Sequence, residues 1–263
     1  MKKLTVFLLT LAIALSLTAC GGTSGSTNQT DMEYVKEKGT LVVGITNFAP
    51  MDYKGTSGEW IGFDADMAGA FAKSLGVEVK FVEIDWDNKV LELDGKTIDC
   101  VWNGMTLTPE VTNSMECSNA YCNNAQVVII PSNMSDKYQT VDDLTDLAFA
   151  AEAGSAGEAA LNELELNVTP VKTQSDALME VAAGTSDAAV IDSLMAAAMV
   201  GKGTSYSDLT YTVALKNEEY GVGFRKGSDL ADALNDFIAA SYADGSMLKC
   251  AESYGVQATL IEQ

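Results

Sequence analysis

The chain has 263 residues, 47% of them hydrophobic, with 37 acidic residues against 16 basic ones and a formal net charge of −21. That length supports one large core or two modest ones, and so acidic a surface is repelled by phosphate backbones and anionic lipid heads, so nucleic acid is not an expected partner. There is no histidine, Arg225 is the single arginine and no C-x-x-C pair occurs, so neither a His-based dyad nor a zinc centre is expected, and no other metal or cofactor.

Taken in order, Lys2 and Lys3 precede an uncharged apolar run, Leu4 to Ala19, too short for a membrane span and right for an export signal over 1–19. The run ends in Leu17, Thr18, Ala19 and Cys20, which resembles a bacterial lipoprotein processing site with Cys20 as the lipidated residue. The stretch "GGTSGSTNQT" cannot bury apolar surface, so 20–32 reads as a flexible tether. The mature protein is expected to be an exported monomer anchored by lipid to the outer face of the membrane. The remaining cysteines, Cys100, Cys117, Cys122 and Cys250, are compatible with disulfides or with buried thiols.

"LVVGI" from Leu41 reads as a strand, and "GFDADMAGAFAKSLG" as a helix with Asp64 as its cap, Gly76 as its end, and Met67, Ala70, Phe71 and Leu75 on one face. "VEVKFVEI" predicts a strand, "WDNKVLEL" a helix, "IDCVWNG" a strand and "PEVTNSM" a short helix opened by Pro109. A second series follows: "AQVVIIP", "LAFAAEAG", "SAGEAALNEL", "NVTPVK", "SDALMEVAAG", "SDAAVIDS" and a small-residue helix through Val200, closing near "EYGVGF". Strands alternating with helices imply an α/β fold with parallel sheet, and "GKTIDCVWNG" echoes "GTSDAAVIDS", which suggests two similar lobes. The C-terminal "LADALNDFIAASYADGSMLKCAESYG" adds two helices.

The order and spacing of "LVVGITNFAPMDYK", "GEWIGFDADMAGAFAKSLG", "IDCVWNGMTLTPE", "AYCNNAQVVI", "GSAGEAAL", "DAAVIDS" and "YGVGFRKGSDL" resemble the family 3 solute-binding proteins of polar amino acid ABC importers. The resemblance implies a two-lobed, periplasmic-binding-protein-like type II fold, with 33–122 and 222–263 as one lobe, 126–218 as the other, and two crossing hinge strands at 123–125 and 219–221. It implies capture of a small polar amino acid or related nitrogen compound between the lobes and delivery to a membrane permease and its ATPase. Gly104, Thr106 and Thr108 then meet a ligand carboxylate with Asn103 as an extra polar contact, Phe48 and Trp86 sandwich its aliphatic part, and Asp192 receives its α-ammonium. Glu152 falls where a side-chain reader stands. "GSAGE" opens a helix, so Gly154 and Ser155 are placed to meet an anion or amide oxygen. Thr108 has a second reading, as the cap of the helix opened by Pro109.

Two positions depart from the pattern. Val111 stands where the family usually has an arginine that forks onto the ligand carboxylate, a contact of roughly 1.5–3 kcal/mol, and Met51 stands where phenylalanine is common. Two other functions share these features: an arogenate-dehydratase-like enzyme with Glu152 as its acid, and a surface or sensor protein that binds ligand without transport.

Overall fold

The computed structural model describes residues 29–263, so the expected export signal and Cys20 lie outside the described residues. The first helix, α1 (Asp31–Lys38), starts inside the expected tether because Thr30 and Glu33 form a reciprocal capping box. It leads into β1 (Thr40–Ile45), the short hairpin of β2 (Tyr53–Lys54) and β3 (Trp60–Ile61), then α2 (Phe63–Leu75) and β4 (Glu78–Glu83). A 3-10 turn at Trp86–Asn88 runs into α3 (Lys89–Asp94), followed by β5 (Cys100–Thr106), α4 (Pro109–Ser114) and β6 (Glu116–Cys117).

Next comes β7 (Cys122–Pro131), then β8 (Ala148–Glu152), α5 (Ala156–Glu163), β9 (Asn167–Val171), α6 (Gln174–Ala183), β10 (Ala188–Asp192) and α7 (Ser193–Met199). The 16-residue β11 (Leu209–Phe224) returns, and α8 (Leu230–Ala243) and α9 (Ser246–Tyr254) close the chain. The strand order is β4-β1-β5-β11-β7-β10-β8-β9, with β6 also on β11. The two flanks, β4-β1-β5 and β10-β8-β9, are parallel as expected, whereas β11 runs antiparallel to both β5 and β7. Residues 209–220 of β11 pair with β7 and residues 220–224 with β5, so β11 passes from one half of the sheet to the other, and β7 accompanies it through Asn123, Asn124 and Ala125.

Helices cover both faces. Leu41, Val43 and Ile45 of β1 point into one buried cluster with Met67, Phe71, Trp102 and Leu234, while Val101, Met105, Ile84 and Leu93 form a second cluster on the opposite face. A third, built on Val128, Ile130, Phe149 and Val190, fills the other half. Near-continuous apolar strands of this kind are what a sheet buried on both faces requires.

Two details of α2 differ from the sequence reading. Gly62, not Asp64, is its N-cap residue, and Asp64 lies inside the helix and fully buried. Its buried stripe is Phe63, Met67, Ala68, Phe71 and Ala72, with Ala70 exposed, because the helix is covered by both the sheet and α8–α9. All four described cysteines are free thiols.

Candidate functional site

β5, β8 and β10 all end at one cleft, where side chains can leave a strand's C-terminal end without displacing core packing. The cleft has a volume of ≈ 640 Å³ and draws its walls from both halves of the molecule: Trp86, Thr106 and Thr108 on one side, Glu152, Ser155 and Asp192 on the other. β11 supplies Glu218 from the crossing segment. The halves touch across it. Lys89 Nζ donates to the Gly154 carbonyl at 2.9 Å and to the Trp86 carbonyl at 3.2 Å, and Lys172 pairs with Asp85 at 3.2 Å. Gly154 has φ +69 and lies against Asp87, so a Cβ there would sit 2.8 Å from the Asp87 backbone. The two halves are therefore in contact beside the cleft.

Asp192 is the most heavily bonded group in it. Its Oδ1 accepts from the Asn124 and Gln126 amides and from Tyr220 Oη at 2.7 Å, its Oδ2 accepts from the Gln174 amide, and its own N–H donates to Gln174 Oε1 at 2.9 Å. Burial raises its pKa well above the carboxylate range, the neighbouring Glu218 adds to the rise, and the Tyr220 and Gln174 hydrogen bonds oppose it. Every donor is neutral, so an ionised Asp192 retains its full charge with no protein cation beside it.

Glu152 is 2% exposed, and its Oε1 has no hydrogen-bond partner among the described residues. Burial pushes its carboxyl up to about 8, with Asp176 raising it further while Lys89 opposes and the nearby Gln174 amide also favours the ionised form. Lys89, itself buried, is driven below its ordinary pKa by desolvation, against the pull of Glu110 and Glu152.

The expected carboxylate loop is built otherwise than the resemblance implies. Gly104 N–H donates to Asp64 Oδ2 at 2.6 Å, and Asp64 also accepts from Tyr121 Oη at 2.8 Å, so this N–H is already used. Asn103 is likewise committed: its Oδ1 accepts from Thr46 N and Oγ1, and its Nδ2 donates to Thr46 O and Asp52 Oδ2. Thr108 caps α4, accepting from Val111 N at 3.2 Å, and Ser155 caps α5, accepting from Glu158 N at 3.1 Å. Gly154 N–H is taken by Glu158 Oε2. Thr106 is the residue of this loop whose hydroxyl makes no hydrogen bond among the described residues, and Trp86 presents its ring to the cleft at 8% exposure.

Phe48 does not reach the wall. It is 2% exposed and stands edge-on to Tyr220, with the ring centroids 6.4 Å apart, behind Gly104. Gly104 has φ +56, and a Cβ there would lie 2.5 Å from Phe48 Cε1, so the missing side chain is what lets the ring pack so close. The residues that sequence reasoning missed are Asn124, Gln126, Gln174 and Glu218. The first two alternate along "NNAQ", Asn124 in the expected hinge and Gln126 just after it, and their spacing of two, which puts both on one face of a strand, was the available signal.

The chain is 31% identical over 225 residues to the L-cystine-binding protein TcyJ of Escherichia coli strain K12, covering 84% of each chain. Among solved structures, an ABC uptake transporter substrate binding protein from Streptococcus pneumoniae with bound histidine matches with a TM-score of 0.77 and 28% identity, over 87% of this chain and 97% of that one. The ancestral amino acid-binding protein AncCDT-1, a precursor of cyclohexadienyl dehydratase, matches with a TM-score of 0.77 and 30% identity, over 85% and 98%. The sequence also fits the family pattern over residues 41–257, and on these grounds this two-lobed chain belongs to the bacterial extracellular solute-binding proteins, family 3.

Proposed function

We propose that this protein is the extracytoplasmic receptor of an ABC importer for a small polar amino acid, anchored by lipid on Cys20, closing 33–122 with 222–263 onto 126–218 about a hinge at 123–125 and 219–221, and acting as a monomer toward a permease and its ATPase. The observation that carries this reading is Asp192, a buried carboxyl at a strand end that lines the cleft and is held by neutral donors with no protein cation beside it, which leaves a ligand ammonium as its charge partner. Trp86 supplies an apolar wall, and the Thr106 hydroxyl is free to donate to a ligand oxygen. A thermal-shift screen of the purified protein against the twenty L-amino acids tests it. A selective stabiliser is expected, with the transition moving further up as ligand concentration rises. A flat response across the panel would contradict the reading.

A second reading rests on Glu152, whose carboxyl is pushed up to about 8 and so holds a proton at neutral pH, as a general acid for a dehydratase must. It is tested by product formation from arogenate. The relatives named above are described as binding proteins, and the proposal therefore assigns Glu152 to binding.

A further inference from the structure

Asp192 occupies two structural positions at once. It is the last residue of β10 and also the N-cap of α7, with φ −65 and ψ 137. An aspartate at a helix start ordinarily turns its carboxyl back to accept from the N–H of the second or third helical residue. Thr30, Thr108, Ser155 and Thr173 cap α1, α4, α5 and α6 in this way. Asp192 makes no such bond, and its oxygens accept instead from Asn124, Gln126, Gln174 and Tyr220.

The cap of α7 comes from another strand. Asn124 Oδ1, on β7, accepts from the Leu194 N–H at 3.3 Å and from the Ser193 hydroxyl at 2.8 Å, while Ser193 Oγ accepts from the Ala125 N–H at 3.2 Å. Leu194 is the second residue of α7, so its N–H is one that the Asp192 carboxyl would otherwise take. The pairing of β7 with β10, which sets Asp192 opposite Gln126, brings Asn124 to this helix start. The nitrogen of the same amide donates to Asp192 Oδ1 and to Glu218 Oε1. Asn124 is buried and is not part of the cleft wall, whereas Asp192 is. Any influence it has on a bound molecule passes through its neighbours.

Two arrangements thus compete for one carboxyl. Gln126, Gln174 and Tyr220 all donate to Asp192, and none of them accepts from Leu194. Without the Asn124 oxygen, the Leu194 N–H is a buried donor left unpaired, and the carboxyl that helix geometry puts within its reach is that of Asp192. A carboxyl turned onto its own helix is turned away from the cleft.

We propose that Asn124 is the positioning residue of the ammonium site: it caps α7 in place of Asp192 and so keeps the Asp192 carboxyl facing the cleft. This rests on the amino acid receptor reading and adds to it a residue that acts without touching the ligand.

The test is calorimetry at neutral pH on the purified protein with two probes. One is whichever of the twenty L-amino acids or L-cystine gives the largest thermal shift, and the other is its 2-deamino analogue, which keeps the carboxylate and side chain and lacks the α-ammonium. The wild-type protein is expected to prefer the amino acid at least about tenfold. Asn124→Ala is expected to cut that preference to about twofold or less by weakening the amino acid alone, and its unliganded crystal structure to show the Asp192 carboxyl accepting from the Leu194 N–H. Asn124→Leu, of similar volume and equally without an acceptor, makes both comparisons should the alanine variant fail to fold. An equal fall for both probes would make Asn124 a support of the fold alone. An undiminished preference, or a carboxyl still facing the cleft, would show that Asp192 needs no substitute cap. Each of these results overturns the proposal and leaves the receptor reading standing. If the wild-type protein binds both probes equally, or binds neither, the ammonium site itself is lost and both fall.

Discussion

Glu152 couples the site to proton concentration. Its carboxyl titrates near 8 in the folded protein against 4.5 ordinarily, chiefly through burial, so the folded state holds a proton that the unfolded chain has released. Its contribution to stability is therefore greatest below about pH 4.5, and declines as pH rises through 8. Glu152→Gln should flatten that decline and raise the stability of the unliganded protein at pH 8 by on the order of 2–4 kcal/mol, read from urea unfolding at pH 5 and pH 8. An unchanged difference between the two pH values would show that the carboxyl is not held protonated. At Gly104, the left-handed φ and the Phe48 ring leave no room for a methyl group, so Gly104→Ala should cost about 1–3 kcal/mol by the same measurement, and a neutral effect would mean that Phe48 can move aside. Asp192 and Trp86 were legible as strand-end and aromatic positions in a motif. The commitments of Asn103 and Gly104 were not, because they depend on Thr46, Asp52 and Asp64, residues about 40–57 positions away in sequence.

Among the elements, α3 carries a contact that no local pattern announces. Lys89 begins the helix, yet its ammonium crosses the cleft to the Gly154 carbonyl just before α5, bridging the halves. Hydrogen bonds from a charged donor contribute about 1.5–3 kcal/mol, so Lys89→Met, which retains the apolar stem, should speed ligand release roughly 10- to 100-fold with little change in the stability of the unliganded protein. Stopped-flow tryptophan fluorescence measures this, and an unchanged release rate would remove Lys89 as a latch. Most elements could be placed from periodicity and from the residues at their ends: Pro109 opens α4, Gly76 and Gly184 end α2 and α6 in the left-handed conformation, and the β-branched runs are strands. β11 was read only at its end, because its first half, "LTYTVALKNE", alternates exposed and buried residues with two register shifts against β7 and has no apolar run. Asp64 was read as a cap because an acid in a first turn satisfies N–H groups so often. Its burial follows from the packing of Tyr121 and Gly104 on top of it.

For the whole molecule, the alternation of strands and helices foretold an α/β fold, and the internal echo of β5 and β10 foretold two halves. It did not foretell that both would be joined through the antiparallel pair β7 and β11, because strand direction at a crossing is set by topology rather than by residue pattern. The acidic surface and the acidic cleft have different origins. The surface carries solvated charge, whereas Asp192 and Glu152 are buried, and burial raises the cost of ionising them without a cation nearby. In the proposed function, ligand capture between the lobes is a charge-pairing event centred on Asp192. Its most direct test is calorimetry of Asp192→Asn, which preserves shape and removes the charge, against the L-amino acid that most stabilises the wild-type protein. Affinity is expected to fall by about 2–5 kcal/mol, roughly 30-fold or more, with the thermal transition of the unliganded variant retained. An affinity equal to that of the wild type would place the ligand's ammonium elsewhere and contradict the account.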